Sequence, residues 1–169
     1  MKRCFMIALA IALALSLSAC AKQNGESGVP DDFCFSIEWG CNGDSTYDSK
    51  SGRLIKQKIA THVEDYTAAF FLSDVQKAEI FTLVKDMKPE TYPDQYNPLK
   101  GASKPTRDIV FTVTYNGKTK TISCLHVSLG DTPEGAKGTK FMKVHDTIVG
   151  ILTSSDAWTA LPDYEFHYQ

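Results

Sequence analysis

Long charge blocks, internal repeats and membrane-length apolar runs are all missing from this chain of 169 residues. Lys and Arg total 18 against 20 Asp and Glu, a net charge of −2, and no basic cluster forms a stripe. Phosphate recognition rests on concentrated positive charge, so this balance argues against a nucleic-acid partner. The longest stretch without a polar side chain, residues 4–15, is shorter than the roughly 20 apolar residues a helix needs to span a bilayer. No His-Glu-x-x-His helix, Gly-x-Ser-x-Gly elbow or phosphate-cradling glycine loop occurs, which excludes the enzymes that announce themselves by those motifs. Asn42, Asp44 and Asp48 suggest a calcium loop. Ser45, Tyr47 and Lys50 interrupt the alternating oxygen ligands and no Glu closes the loop, so it reads as a turn.

What is present begins with an address. Lys2 and Arg3 precede the apolar stretch, which has the length of a signal-peptide h-region. Behind it stands Leu17-Ser18-Ala19-Cys20: a large apolar residue, two small ones and a cysteine. This quartet resembles the lipobox of bacterial lipoproteins. The resemblance implies removal of residues 1–19 as a signal peptide and a diacylglyceryl group joined to Cys20 as the new N-terminus. Two acyl chains give stable anchoring where one gives only marginal binding. The expected location is therefore the cell membrane, facing outside the cytoplasm, with the membrane itself as one partner. Loss of Lys2 and Arg3 takes the net charge from −2 to −4 and leaves 150 residues, a single-domain length.

Residues 20–30 carry Lys, Gln, Asn, Glu and two glycines before Pro30, and read as a flexible tether. Residues 31–169 read as one α+β domain: an antiparallel sheet of three N-terminal strands and a β-hairpin, with two main helices on one face. The first strand is expected at 33–39, strand pieces at 46–48 and 53–58 around a turn, a third strand at 66–72, and the tail 164–168 as a short edge strand. Ser73 and Gln76 form a capping-box pattern ahead of Ile80, Leu83, Val84 and Met87 at helical spacing. Asn116-Gly117 supplies the paired positive φ angles of a type I′ turn. That turn sets Tyr115 opposite Lys118, Phe111 opposite Ile122 and Ile109 opposite Cys124. Residues 91–105 and 130–138 are expected as loops, and Phe141, Val144, Ile148, Ile151 and Leu152 as the inner side of a second helix, with Ser155 capping a last turn. The segments 33–40, 47–54 and 152–158 also resemble small bacterial lipoproteins. Their shared motifs are turns and caps, so that resemblance transfers no catalytic residue.

Five cysteines reduce to Cys34, Cys41 and Cys124 once Cys4 is removed and Cys20 alkylated. Cys34 and Cys41 flank one extended strand. Their α-carbons should lie about 23 Å apart, against the roughly 7 Å a disulfide tolerates. Cys41 with Cys124 stays open, but reduced thiols are expected.

Cys124, His126 and His145 are candidate zinc ligands: residues two apart on a strand share a face, and His145 falls on the inner side of a helix. Their spacing matches no common zinc pattern, so no metal or cofactor is expected beyond the lipid on Cys20. The same Cys–His pair as a nucleophile is rejected, because Cys124 is placed mid-strand among apolar residues. Tyr92 and Tyr96 are candidate recognition aromatics, whereas Trp158 and Phe166 are expected to close core edges. The expected function is a monomeric, non-enzymatic binding or interaction module of the cell envelope, facing an envelope protein or polymer. The alternatives are an enzyme acting on an envelope polymer and an inhibitor-type protein.

Overall fold

Alternation of aromatic and polar residues from Phe33 to Trp39 makes one side of an extended chain fully apolar, and burying that side organises the domain. In the computed structural model, which describes residues 28–101, 106–128 and 132–167, this run forms β1 (Cys34–Trp39). Phe35, Ile37 and Trp39 are buried, and Cys34, Ser36 and Glu38 face the other way. The signal segment, Cys20 and the tether to residue 27 lie outside the described residues.

Around β1 a six-stranded antiparallel sheet assembles from β2 (Ser45–Asp48), β3 (Arg53–Ile55), β4 (Thr67–Ala69), β6 (Thr106–Tyr115) and β7 (Lys118–Ser128). The order is β4-β3-β2-β1-β6-β7. The β6–β7 hairpin has the expected register, pairing Tyr115 with Lys118, Phe111 with Ile122 and Ile109 with Cys124. Asn116 (φ 51°) and Gly117 (φ 70°) occupy the left-handed positions of its turn. Helices α1 (Asp74–Met87) and α2 (Gly135–Thr153) share one buried cluster with Phe35, Ile37, Leu54, Ile109, Phe111 and Ile122, so both cover the same face. The opposite face is threonine-rich, with Thr112 bonded to Thr121 and Thr114 to Thr119 across the hairpin. The domain is α+β.

Several boundaries differ from the sequence expectation, each for a physical reason. Strand β3 stops at Ile55 rather than 58 because Lys56 and Gln57 turn inward to hold the chain's C-terminal segment. Strand β4 spans three residues rather than 66–72: its partner β3 offers only three, and a 3-10 turn (Val63–Tyr66) precedes it. The expected loop 91–105 contains a two-residue strand, β5 (Leu99–Lys100), paired with β8 (Thr132–Pro133). Helix α2 begins at Gly135, inside the expected glycine loop. The glycine at 138 has a packing reason, since a Cβ there would overlap the carbonyl oxygen of Pro98. Within the helices, Phe81 is buried on α1 while Leu83 and Ile151 are only half-buried.

The capping box at Ser73 is formed in both directions, the Ser73 hydroxyl accepting the Gln76 amide and the Gln76 side chain accepting the Ser73 amide. Ser155 caps the short helix α3 (Asp156–Thr159) through the Trp158 amide. The tail does not form the expected edge strand over 164–167, the described part of that expectation. Backbone groups there bond to the Gln57 side chain instead of to a neighbouring strand.

Candidate functional site

At the end of β1 the chain must reverse sharply to pair β2 against it. Gly40 takes φ 98°, a region closed to side chains with a Cβ, and a 3-10 turn (Cys41–Gly43) follows. This turn delivers Asp44 to the end of the sheet, where it is 5% exposed.

The other wall is the C-terminal strap, residues 161–167, returning after α3. Gln57, fully buried, donates to the Phe166 carbonyl at 3.1 Å and accepts the Glu165 amide at 2.7 Å. The Glu165 carboxylate accepts both the amide and the hydroxyl of Thr61, which hold its carboxyl below the usual range. Lys56 is 7% exposed, with Nζ 5.4 Å from the centre of the Tyr164 ring and 5.7 Å from that of Trp158. Trp158 in turn stacks on Trp39 at 5.7 Å between ring centres, tying the short helix that leads into the strap to the sheet. A buried ammonium ion between two π faces is stabilised by their quadrupoles.

Between turn and strap lies a hollow of about 240 Å³ lined by Cys41, Asp44, Ser45, Tyr164, Phe166 and His167. Asp44 Oδ1 is buried with no hydrogen-bond partner among the described residues. Burial pushes the Asp44 carboxyl above its ordinary value, and the charge of Lys58 only partly opposes that. Lys58 is itself committed, its Nζ lying 2.7 Å from a carboxylate oxygen of Glu38. Ser45 spends its hydroxyl proton on the Lys56 carbonyl at 2.7 Å, so its oxygen still has acceptor capacity. Unsatisfied buried polar atoms are rare in folded proteins, and among the described residues Asp44 Oδ1 shares that state with Arg107 Nε and His145 Nε2.

Larger hollows exist elsewhere. One beside the hairpin tip is lined by Glu90, Tyr115, Lys118 and Lys120, but Lys120 pairs with Asp94 and Glu90 accepts the Tyr115 hydroxyl.

The sequence-derived candidates land apart. The alternation of β7 fails at Leu125 and His126, both exposed, because these two residues face the single residue Asp108 across a bulge. His126 takes φ 58° there and its amide donates to Asp108 Oδ1. The expectation that Cys124 and His126 share a face is therefore corrected: Cys124 is fully buried and His126 stands in solvent. Burial also pushes the Cys124 thiol up to about 12, so no thiolate is available at neutral pH. His145 is buried on α2 with Nδ1 2.7 Å from Asp146 Oδ1. Among the described residues no three His, Cys, Asp or Glu side chains converge to hold a metal ion. Cys34, Cys41 and Cys124 are all free thiols.

Tyr92 is likewise corrected as a presented aromatic. It is 3% exposed, its ring packs edge-on against Tyr96, and its hydroxyl donates to the Lys137 carbonyl. Tyr96 is half-buried and lines a shallow hollow with Asn97, Ser123 and Leu125. Trp158 closes a core edge, but Phe166 stands 46% exposed on the strap.

Sequence reasoning missed Asp44, Lys56, Gln57 and Tyr164 as a set. Asp44 was visible only as one polar residue in a turn. The Lys56-Gln57 pair interrupting an apolar strand was the available signal. No protein-family model matches the chain, and no curated protein matches it. Among the described residues no helix is long and apolar enough to cross a membrane.

Proposed function

We propose that this chain is a lipid-anchored envelope protein whose globular domain is a binding module rather than an enzyme. The address rests on Leu17-Ser18-Ala19-Cys20 behind a basic, apolar leader. The observation that supports binding is the hollow beside the strap, whose wall carries Tyr164 and the 46% exposed Phe166. Rings with little conformational entropy to lose suit recognition.

Growth of the native producing cells with a radioactive fatty acid tests the anchor. The wild-type chain should take up label and partition with membranes, and Cys20→Ala should abolish both. Unlabelled wild-type protein recovered in the medium would overturn the tethered reading.

A further inference from the structure

Resting on the anchor reading above, we propose that the end of the sheet where the chain enters β1 lies against the membrane that holds Cys20, with Phe71 and Val75 set into its headgroup layer.

Topology gathers several chain reversals at that end. Asp32, just before β1, accepts the amides of Asn116 and Gly117 at the tip of the β6–β7 hairpin. Ser49, opening the turn between β2 and β3, accepts the Phe35 amide on its side chain and donates its own amide to the Phe35 carbonyl. Gly52 closes the same turn, its carbonyl accepting the Phe70 amide as β4 ends. Phe71 follows, and its ring lies so close over Gly52 that a Cβ there would fall 2.6 Å from it. These segments share the end at which the N-terminal part of the chain joins the sheet.

Apolar surface is left uncovered at the same end. Phe71 is 69% exposed and Val75, in the first turn of α1, 78%. They are the two most exposed large apolar side chains among the described residues, four positions apart across the Ser73 cap. Polar groups beside them are engaged locally: Ser73 and Gln76 bond each other in the capping box, and Asp48 accepts the amide and the hydroxyl of Ser51. Exposed apolar surface marks a protein or membrane contact, and neighbours spent on their own turns favour the partner that needs no directional bonds. Charges here offset one another, Lys50, Arg53 and Lys118 standing against Asp31, Asp32 and Asp48, so attraction to charged headgroups is not the driving force.

Tether length decides the partner. Eight peptide steps separate Cys20 from Gly28. At no more than about 3.6 Å each, they hold Gly28 within roughly 29 Å of the bilayer. Confinement makes docking on that bilayer an intramolecular event, so a patch too small to bind a membrane alone suffices to orient an anchored domain. Strand β1 rises about 20 Å over its six residues. The Gly40–Asp44 turn and the strap hollow therefore stand at the far end, turned away from the membrane and open to a ligand.

The test reads contact with lipid by tryptophan fluorescence. Full-length lipidated Phe71→Trp is reconstituted in phosphatidylcholine vesicles with and without bromine on the acyl chains, which quenches indole on contact. Native Trp39 and Trp158 stack on each other at the far end and supply the background. Bromolipid should at least halve the emission added by Phe71→Trp and leave wild type and Phe166→Trp unchanged. Phe71→Ser combined with Val75→Ser should lower the anisotropy of the native tryptophans on vesicles, as the domain is freed to swing. Vesicle-bound Phe71→Trp that escapes quenching, or is shielded only as the chain self-associates, would overturn the inference, as would equal quenching of Phe166→Trp. Flotation with the vesicles and fatty-acid labelling of Cys20 are read separately. Loss of both would remove the anchor and this orientation together, whereas flotation without quenching removes the orientation alone.

Discussion

The carboxylate of Asp32 accepts the backbone amide of Gly117 at 2.6 Å, joining the entrance of the first strand to the tip of a hairpin 85 residues away. The Asn116 amide reaches the other oxygen at 2.9 Å, so one side chain satisfies two consecutive donors of the turn. These two amides, Gly117 first, hold the Asp32 carboxyl below its ordinary value of 3.8.

A carboxyl lowered on folding contributes stability that is present above 3.8 and lost as pH falls through the folded value. Asp32→Ala should therefore lower the melting temperature at neutral pH, and its gap from wild type should close in acid. Thermal unfolding across pH checks this. A gap that widened in acid would mean the two amides do not act through the ionised carboxylate.

Asp44 runs the other way. Its carboxyl is raised on folding by burial, so its contribution is most favourable below 3.8 and declines as pH rises through the folded value. Asp44→Asn should raise the melting temperature at neutral pH, with the gain fading in acid. Equal melting curves for variant and wild type at neutral pH would show that the carboxylate is solvated.

Gln57 holds the strap through one donated and one accepted bond, to Phe166 and Glu165. At about 1 kcal/mol for each bond, Gln57→Ala should cost roughly 1–3 kcal/mol. It should also make residues 161–167 the first site of limited proteolysis. Unchanged cleavage kinetics there would show that the strap is held by Lys56 and Glu165 alone.

Cys124 is fully buried with its thiol pushed up to about 12, whereas Cys34 and Cys41 are half-buried. Iodoacetamide on the native protein should modify Cys34 and Cys41 first and reach Cys124 only after unfolding. Peptide mass mapping over time gives the order, and early labelling of Cys124 would mean that the β6–β7 hairpin opens readily.

The legible parts of the fold were those specified by local rules. Period-two alternation marked β1 and its buried face, Asn116-Gly117 set the hairpin register, and Ser73 with Gln76 marked the start of α1. Each of these depends on residues a few positions apart, where sterics and hydrogen-bond geometry leave one solution. The site was not legible in the same way. Its walls come from the Gly40–Asp44 turn and a strap more than 100 residues later, joined through Gln57.

By itself, then, the sequence determined the α+β class, the inward face of β1, the register of the hairpin, and the expectation of an anchor at Cys20. Only the tertiary structure decided that His126 leaves the face of Cys124, that Tyr92 is buried, and that Asp44 Oδ1 is left without a hydrogen-bond partner among the described residues. The reason is physical: periodicity says which residues avoid water. A bulge, a two-residue strand and a side-chain clamp are settled by contacts between distant segments, whose energies no local window contains.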